Sequence, residues 1–284
     1  MTGKKKAILV LANHDREGVT PALKLICRKF TDLAEVISVD ISRQTLDEAS
    51  KLPGEIVVVL GGDGTLLGVA RAFGDNQRPL LGINLGKLGY LAEFSPKDID
   101  QIIALIKSDR MMVSERLMLE AEMDEQQDKF HTLAVNDVVL QAGQPFRMIE
   151  IAISIDGEEL TSVRGDGVII ATPTGSTGHN ISAGGPVVDP LLSAIVFSPI
   201  SAHSLTHRPV VLSGDAKIEV TPRKINSGSA LIVDGQITRG IVPGVPVRIS
   251  RAKPKFLLVH NRKHSRWHTL QTKLNWGVGP NYKI

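Results

Sequence analysis

Residues 55–67 read EIVVVLGGDGTLL, a buried strand that runs into Asp63 set among Gly61, Gly62 and Gly64. Glycines that follow a strand let backbone N–H groups come close to an anion, and a helix beginning there adds the positive end of its dipole. The stretch therefore predicts a strand, an anion-binding turn and a helix in succession, with a carboxylate inside the turn. Outward from it, residues 6–108 alternate apolar strands (KAILVLAN, AEVISVDI, PLLGIN) with helical stretches (TPALKLICRKFTDLA, SPKDIDQIIALIKS). That alternation implies an α/β domain, a parallel sheet with helices on its faces. From residue 111 onward the texture changes to short alternating runs such as HTLAVNDVVLQAG, MIEIAISIDGEEL and GDGVIIATPT, punctuated by DG, SG and PG. These predict a β-rich second domain. The expected organisation is an α/β domain over 1–110, a β-rich domain over 111–261 and a tail over 262–284 that turns helical and packs back on the first domain.

The bulk properties narrow the class. With 284 residues the chain is long enough for two domains, and 42% hydrophobic with 22% charged residues is a globular composition. No apolar run approaches the roughly 18 residues of a membrane span, so no membrane partner is expected. The start, MTGKKKAILVLANHDRE, imitates a signal peptide, but its apolar run is only a strand long and lacks a small-residue cleavage site. A single cysteine, Cys27, excludes an internal disulfide framework and fits a cytoplasmic protein; its setting, LKLICRKF, suggests core packing. Residues 251–284 carry eight Lys/Arg and no acid, which leaves 25 basic against 30 acidic side chains in the first 250. The basic segment contains RWHTLQTKLNWG, whose Trp267, Leu270, Leu274 and Trp276 read as an amphipathic docking element rather than a nucleic-acid arm.

Three elements carry chemistry. GGDGTLL is neither a P-loop, since no G-x-x-x-x-G-K-[ST] occurs, nor a G-x-G-x-x-G dinucleotide turn. Alone it is also compatible with a plain Asp-Gly turn leaving a strand. Residues 164–188, RGDGVIIATPTGSTGHNISAGGPVV, place six glycines and five Ser/Thr hydroxyls in 25 positions. A loop serving only as a connection has no need of so many small hydrogen-bonding residues, whereas a ligand approached by backbone and hydroxyls does. Asn136-Asp137, in AVNDVVL, sets an amide and a carboxylate in an apolar strand pattern, where they either bind backbone or face a ligand.

Together these elements resemble the NAD kinase family: GGDGT at 61–65, Asn136-Asp137, and GDGVIIATPTGSTGHNISAGGPVVDP. The resemblance extends through HSLTHRPVVL at 203–212, VDGQ at 233–236 and KLNW at 273–276, nearly the whole chain. GGDGT alone also occurs in diacylglycerol and sphingosine kinases and, in variant form, in phosphofructokinases; the long second block is the specific mark.

The resemblance implies a β-sandwich-like second domain and transfer of the γ-phosphoryl of ATP to the 2′-hydroxyl of the adenosine ribose of NAD, with Mg²⁺ or another divalent cation accompanying ATP. It gives Asp63 the role of general base, because a ribose hydroxyl is a poor nucleophile until its proton is accepted. Gly61, Gly62, Gly64 and Thr65 would hold the ATP phosphates, with Asp63 and Gly64 also facing NAD. Asn136 and Asp137 would fix ribose hydroxyls, and Arg164 and Asp166 would flank the same pocket, with Arg147 nearby or supplied by a neighbouring subunit of a dimer or tetramer. Thr177, Gly178, His179, Asn180 and Ser182 would line the adenosine side, and Gln236 would close the site. An arginine at 164 goes, in the family, with NAD over NADH and with ATP over polyphosphate.

One departure stands out. Where the family usually reads GSTAY, this chain reads GSTGHN, so Gly178 and His179 replace an alanine and a tyrosine. No resident metal site is expected: His260, His264 and His268 would align on a helix, but they lie in a basic segment without a carboxylate. A lipid kinase needs an apolar groove for acyl chains, and the second block is polar. A non-catalytic dinucleotide sensor has no use for a general base at Asp63.

Overall fold

The computed structural model describes residues 7–86, 89–125, 128–263 and 265–274. It divides into two compact units: the described residues within Met1–Leu66, Arg78–Ser114 and Leu257–Ile284, and those within Leu67–Gln77 and Glu115–Phe256. In chain order the first unit begins with β1 (Ala7–Ala12), α1 (Val19–Thr31), β2 (Glu35–Asp40), α2 (Leu46–Ser50), β3 (Ile56–Leu60), α3 (Asp63–Phe73) and β4 (Leu80–Ile83). Helix α4 (Ile99–Lys107) and strand β5 (Met112–Arg116) follow.

The second unit is built from β6 (Leu119–Glu125), β7 (Asp128–Ala134), β8 (Asp137–Gln141), β9 (Ile149–Ile155), β10 (Glu158–Gly165) and β11 (Gly167–Ala171). It continues with α5 (His179–Ser182), β12 (Ala194–Ile200), β13 (Val210–Ser213), β14 (Ile218–Lys224), β15 (Ala230–Val233), β16 (Ile237–Gly240) and β17 (Val247–Arg251). Strand β18 (Phe256–His260) and helix α6 (Arg266–Leu274) end the described chain, which passes between units inside α3, between Gln77 and Arg78, inside β5 and inside β18.

The first sheet has the order β2-β1-β3-β4-β18-β5. Strand β1 pairs parallel with β2 and β3, and β4 with β3 and β18. Every residue of β3 is buried, as its β-branched run demands of a strand covered on both faces. Helix α1 buries Val19, Leu23, Ile26 and Phe30, one stripe at helical spacing, into the same core as Ile8, Val10 and Val58. Cys27 packs half-buried at the edge of that core, and burial pushes its thiol pKa up. The strand order turns between β1 and β3, and open α/β sheets bind ligands outside the carboxyl ends of the strands at such a point. The segments leaving β1 and β3 there are residues 13–16 and 61–63.

In the second unit two antiparallel sheets, β10-β9-β14-β17-β6-β7 and β13-β12-β11-β8-β15-β16, enclose one core. Alternate residues point inward, among them Ile149, Ile151 and Ile153 of β9 and Val138 and Leu140 of β8, which is sandwich packing. The opposite face of the β8 sheet, with Val139, Ile169, Ala171 and Val196, forms a smaller core with Val188 from the glycine-rich block.

The structure bears on three sequence readings. Asn136-Asp137 does not sit inside one strand: β7 ends at Ala134 in one sheet and β8 begins at Asp137 in the other, so the pair marks the switch between sheets. In the tail, α6 is grouped with the first unit and Trp267 is 56% exposed; Trp276 lies outside the described residues. The spaced histidines do not share a helix, since His260 closes β18 and His268 lies in α6, while His264 lies outside the described residues.

Candidate active site

The turn after β3 is held tight by its first glycine. A Cβ on Gly61 would stand 2.6 Å from Thr65 Oγ1, whereas one on Gly62 would meet nothing nearer than Asn84 Nδ2 at 4.0 Å. Gly61 is therefore required by the turn, and Gly62 leaves its backbone open to a ligand. Arg16 reaches over the same turn, its Nη1 3.5 Å from Thr65 Oγ1.

Asp63 opens α3, and its carboxylate has a cradle of its own. Oδ2 accepts the Tyr90 N–H at 2.7 Å, and Oδ1 accepts the Leu91 and Ala92 N–H groups, each at 3.0 Å. Successive backbone N–H groups converging on an anion make a fixed nest, and bonds to a charged acceptor are the stronger kind. The close approach depends on Gly89, where a Cβ would lie 1.9 Å from Asp63 Oδ1. The Tyr90 hydroxyl is buried without a partner among the described residues, and burial together with the Asp63 charge raises its pKa.

In the second unit the organising residue is one the sequence reading passed over. Asp234 Oδ1 accepts the N–H groups of Asn136 at 2.7 Å and Asp137 at 3.1 Å, and Oδ2 accepts that of Val135 at 3.0 Å. Its own N–H donates to the Asp137 carbonyl at 2.9 Å. Arg71 neutralises the carboxylate from 2.7 Å and donates its second nitrogen to Gln236 Oε1. Asp137, only 5% exposed, sits beside this charge. Burial, and secondarily the Asp234 carboxylate, push its pKa up to about 7.

The glycine-rich block packs on the same switch. Thr172 donates its N–H to the Asn136 carbonyl at 2.8 Å and its hydroxyl to the Val135 carbonyl at 2.6 Å. A Cβ on Gly175 would fall 2.1 Å from the Asn136 oxygen, so backbone meets backbone there. At Gly178 an added Cβ would sit 3.2 Å from the Gly175 oxygen, a tight contact, and 3.8 Å from Asp137 Oδ2.

A cleft of about 510 Å³ opens beside these groups, lined by Asn136, Asp137, His179, Asp234 and Gly235 and floored by Ile232. Gln236 adjoins through Arg71. Arg147, Arg164, Asp166, Thr177 and Ser182 do not line this cleft. Arg164 is 69% exposed and donates Nε to Glu150 at 2.9 Å. Asp166 is half-buried and ties backbone to Ile200 and Ala142, while Arg147 and Ser182 are exposed. Thr177 turns its hydroxyl to the Thr174 carbonyl at 3.3 Å. Asn180 corrects the expectation of a ligand contact. Its amide, fully buried, donates to the Ser176 and Pro186 carbonyls at 3.0 Å each and accepts the Ser198 hydroxyl at 2.7 Å, so it fastens the loop to β12.

Comparison with known proteins gives this arrangement its relatives. The model of the ATP-NAD kinase N-terminal domain matches residues 9–111, and that of the ATP-NAD kinase C-terminal domain matches residues 135–261. An NAD kinase of Rhodopirellula baltica is 38% identical over 275 residues, covering 96% of this chain and 88% of the relative. One of Geotalea daltonii is 42% identical over 224 residues, covering 78% and 79%. Among solved structures, yeast NADH kinase complexed with NADH superposes with a TM-score of 0.89 at 25% identity, covering 100% of this chain and 91% of that one. An NAD kinase from Archaeoglobus fulgidus in complex with ATP gives 0.77 at 27%, covering 95% and 98%. With both domain models matched in order and the Asp63 and Asn136-Asp137 elements fixed as described, the chain belongs to the NAD kinase family.

Proposed function

We propose that the chain transfers the γ-phosphoryl group of ATP to the 2′-hydroxyl of the adenosine ribose of NAD, yielding NADP, with Asp63 accepting the hydroxyl proton. The observation that carries the role of Asp63 is its nest. Three backbone N–H groups fix the carboxylate, and because Oδ1 takes two of them and Oδ2 one, Oδ2 keeps a lone pair for a hydroxyl donor. A base held in place before the substrate arrives needs little reorganisation as the reaction proceeds.

ATP enters as its Mg²⁺ complex, a substrate rather than a resident cofactor. The open backbone at Gly62 and the Thr65 hydroxyl, with Gly64 between them, would face its phosphates. Asn136 and Asp137 present an amide and a carboxyl to the hydroxyls of NAD, and His179 stands at the same cleft. Arg147, Arg164, Asp166, Thr177, Gly178 and Ser182 complete the NAD contacts, and Gln236 closes over them. Arg164 sets a preference for NAD over NADH and for ATP over polyphosphate.

The working form is a homo-oligomer, for which exposed Phe146, Met148, Leu160 and Leu205 offer apolar surface. A cytoplasmic setting suits the single cysteine. The reading is tested by incubating the purified chain with Mg-ATP and NAD and assaying the product with an NADP-specific dehydrogenase. No product with NAD or NADH overturns it.

A further inference from the structure

The nest around Asp63 is braced from behind. Glu93 follows Ala92 directly, and its carboxylate meets the end of β18: Oε1 lies 2.8 Å from His260 Nδ1, and Oε2 accepts the Asn261 N–H at 2.8 Å. Asn261, fully buried, returns Nδ2 to the Glu93 carbonyl at 3.2 Å, and its own Oδ1 accepts the Gln101 side chain at 2.8 Å. His260 Nε2 lies 2.6 Å from Ser114 Oγ on β5. An ionised Glu93 can only accept, so Nδ1 carries the proton and, in the neutral ring, Nε2 accepts the serine hydroxyl. Ser–His–Glu is also the order of a hydrolytic triad, but Ser114 lies within a strand and is 9% exposed, which denies a substrate access to its oxygen.

The segment from Tyr90 to Glu93 is thus held at both ends: its N–H groups on Asp63, its last side chain on β18. We infer that Glu93, held by His260 and Asn261, is a positioning residue for the phosphoryl transfer, fixing the Tyr90–Ala92 N–H groups that aim Asp63. The inference rests on the reading of Asp63 as the base. Neither Glu93 nor His260 touches substrate in this account; both act through the nest. Their loss therefore misaligns the base and lowers kcat without weakening substrate binding.

The test measures kcat, KM for NAD and ATP, and Tm in Glu93→Gln, His260→Ala and His260→Asn. The asparagine amide N–H stands where imidazole Nδ1 stood and can still donate to Glu93. The expected result is a kcat lowered about 10-fold or more in Glu93→Gln and His260→Ala with KM within about 2-fold, and recovery to within about 3-fold in His260→Asn. Should Glu93→Gln fail to fold, the two His260 variants decide. Native kcat in folded Glu93→Gln, or equal kcat in His260→Ala and His260→Asn, overturns the inference. Asp63→Asn measured alongside separates it from the underlying reading. Full kcat in that variant overturns the base assignment itself, whereas a loss there with native kcat in Glu93→Gln overturns only the brace.

Discussion

Arg71 and Asp234 form a buried ion pair, Nη1 2.7 Å from Oδ2, with side chains 10% and 0% exposed. The pair holds the sheet switch in register, because the same carboxylate accepts three consecutive backbone N–H groups from Val135 to Asp137. Removing one partner leaves the other charge buried, which typically costs about 3–5 kcal/mol. Arg71→Met should lower stability by roughly 3 kcal/mol and raise KM for NAD, and the double variant with Asp234→Asn should lose less than the sum of the singles. Chemical denaturation of the four proteins checks both statements, and strict additivity would show that the two residues do not act as a pair.

Asp137 gives stability a pH dependence of definite sign. Its folded pKa is raised from 3.8 to about 7, so the folded state binds more protons than the unfolded state between those values. Stability contributed here is greatest when the carboxyl is neutral and falls as pH rises through that window. Asp137→Asn removes the penalty, so its gain in Tm should be larger near pH 8 than near pH 5. Thermal melts at both pH values decide, and an equal gain would mean the carboxyl ionises freely in the folded chain.

Two glycines should respond oppositely. Gly89→Ala forces a methyl to within 1.9 Å of Asp63 Oδ1 and must displace either the nest or the carboxylate. Turnover should drop by about 10² with a lower Tm. Gly62→Ala has free space, the nearest atom being 4.0 Å away, so Tm should hold while KM for ATP rises if the backbone there faces phosphate. Steady-state kinetics with parallel melts distinguish the two. A Gly89→Ala enzyme with native kcat would count against the nest.

Much of this was legible from the sequence, for identifiable physical reasons. The run IVVVL and the stripe at Val19, Leu23, Ile26 and Phe30 announce their elements through local periodicity. The functions of Asp234 and Glu93 do not, because their partners are distant: Asp234 meets Asn136 at a separation of 98 residues, and Glu93 meets His260 at 167. Asp156-Gly157 and Asp234-Gly235 look alike in sequence, and both adopt the left-handed backbone of a hairpin turn, with φ of 53° and 87° and of 50° and 66°. Only the structure shows that the first is a turn and the second also a carboxylate hub. The partner of His260 was likewise out of sight in its own segment, since Glu93 is brought to it by the neighbouring strand β4.

The Gly178-His179 departure is testable as space. A methyl on Gly178 would stand 3.2 Å from the Gly175 backbone oxygen, tighter than an ordinary contact, and 3.8 Å from Asp137 Oδ2, so Gly178→Ala should cost about 1 kcal/mol of stability as the loop yields by a few tenths of an ångström. His179→Tyr, on an exposed position at the mouth of the cleft, should keep the reaction and lower KM for NAD by adding stacking area. A variant with unchanged KM would place residue 179 outside the dinucleotide contact.

The base role proposed for Asp63 is that it takes the proton of the ribose hydroxyl. The most direct measurement is NADP formation from Mg-ATP and NAD by the native chain and by Asp63→Asn, which preserves size and one acceptor oxygen but not basicity. NADP is expected from the native protein and, in the variant, kcat lower by about 10² or more with KM for NAD changed little. Native kcat in Asp63→Asn, with any change confined to KM, would contradict it.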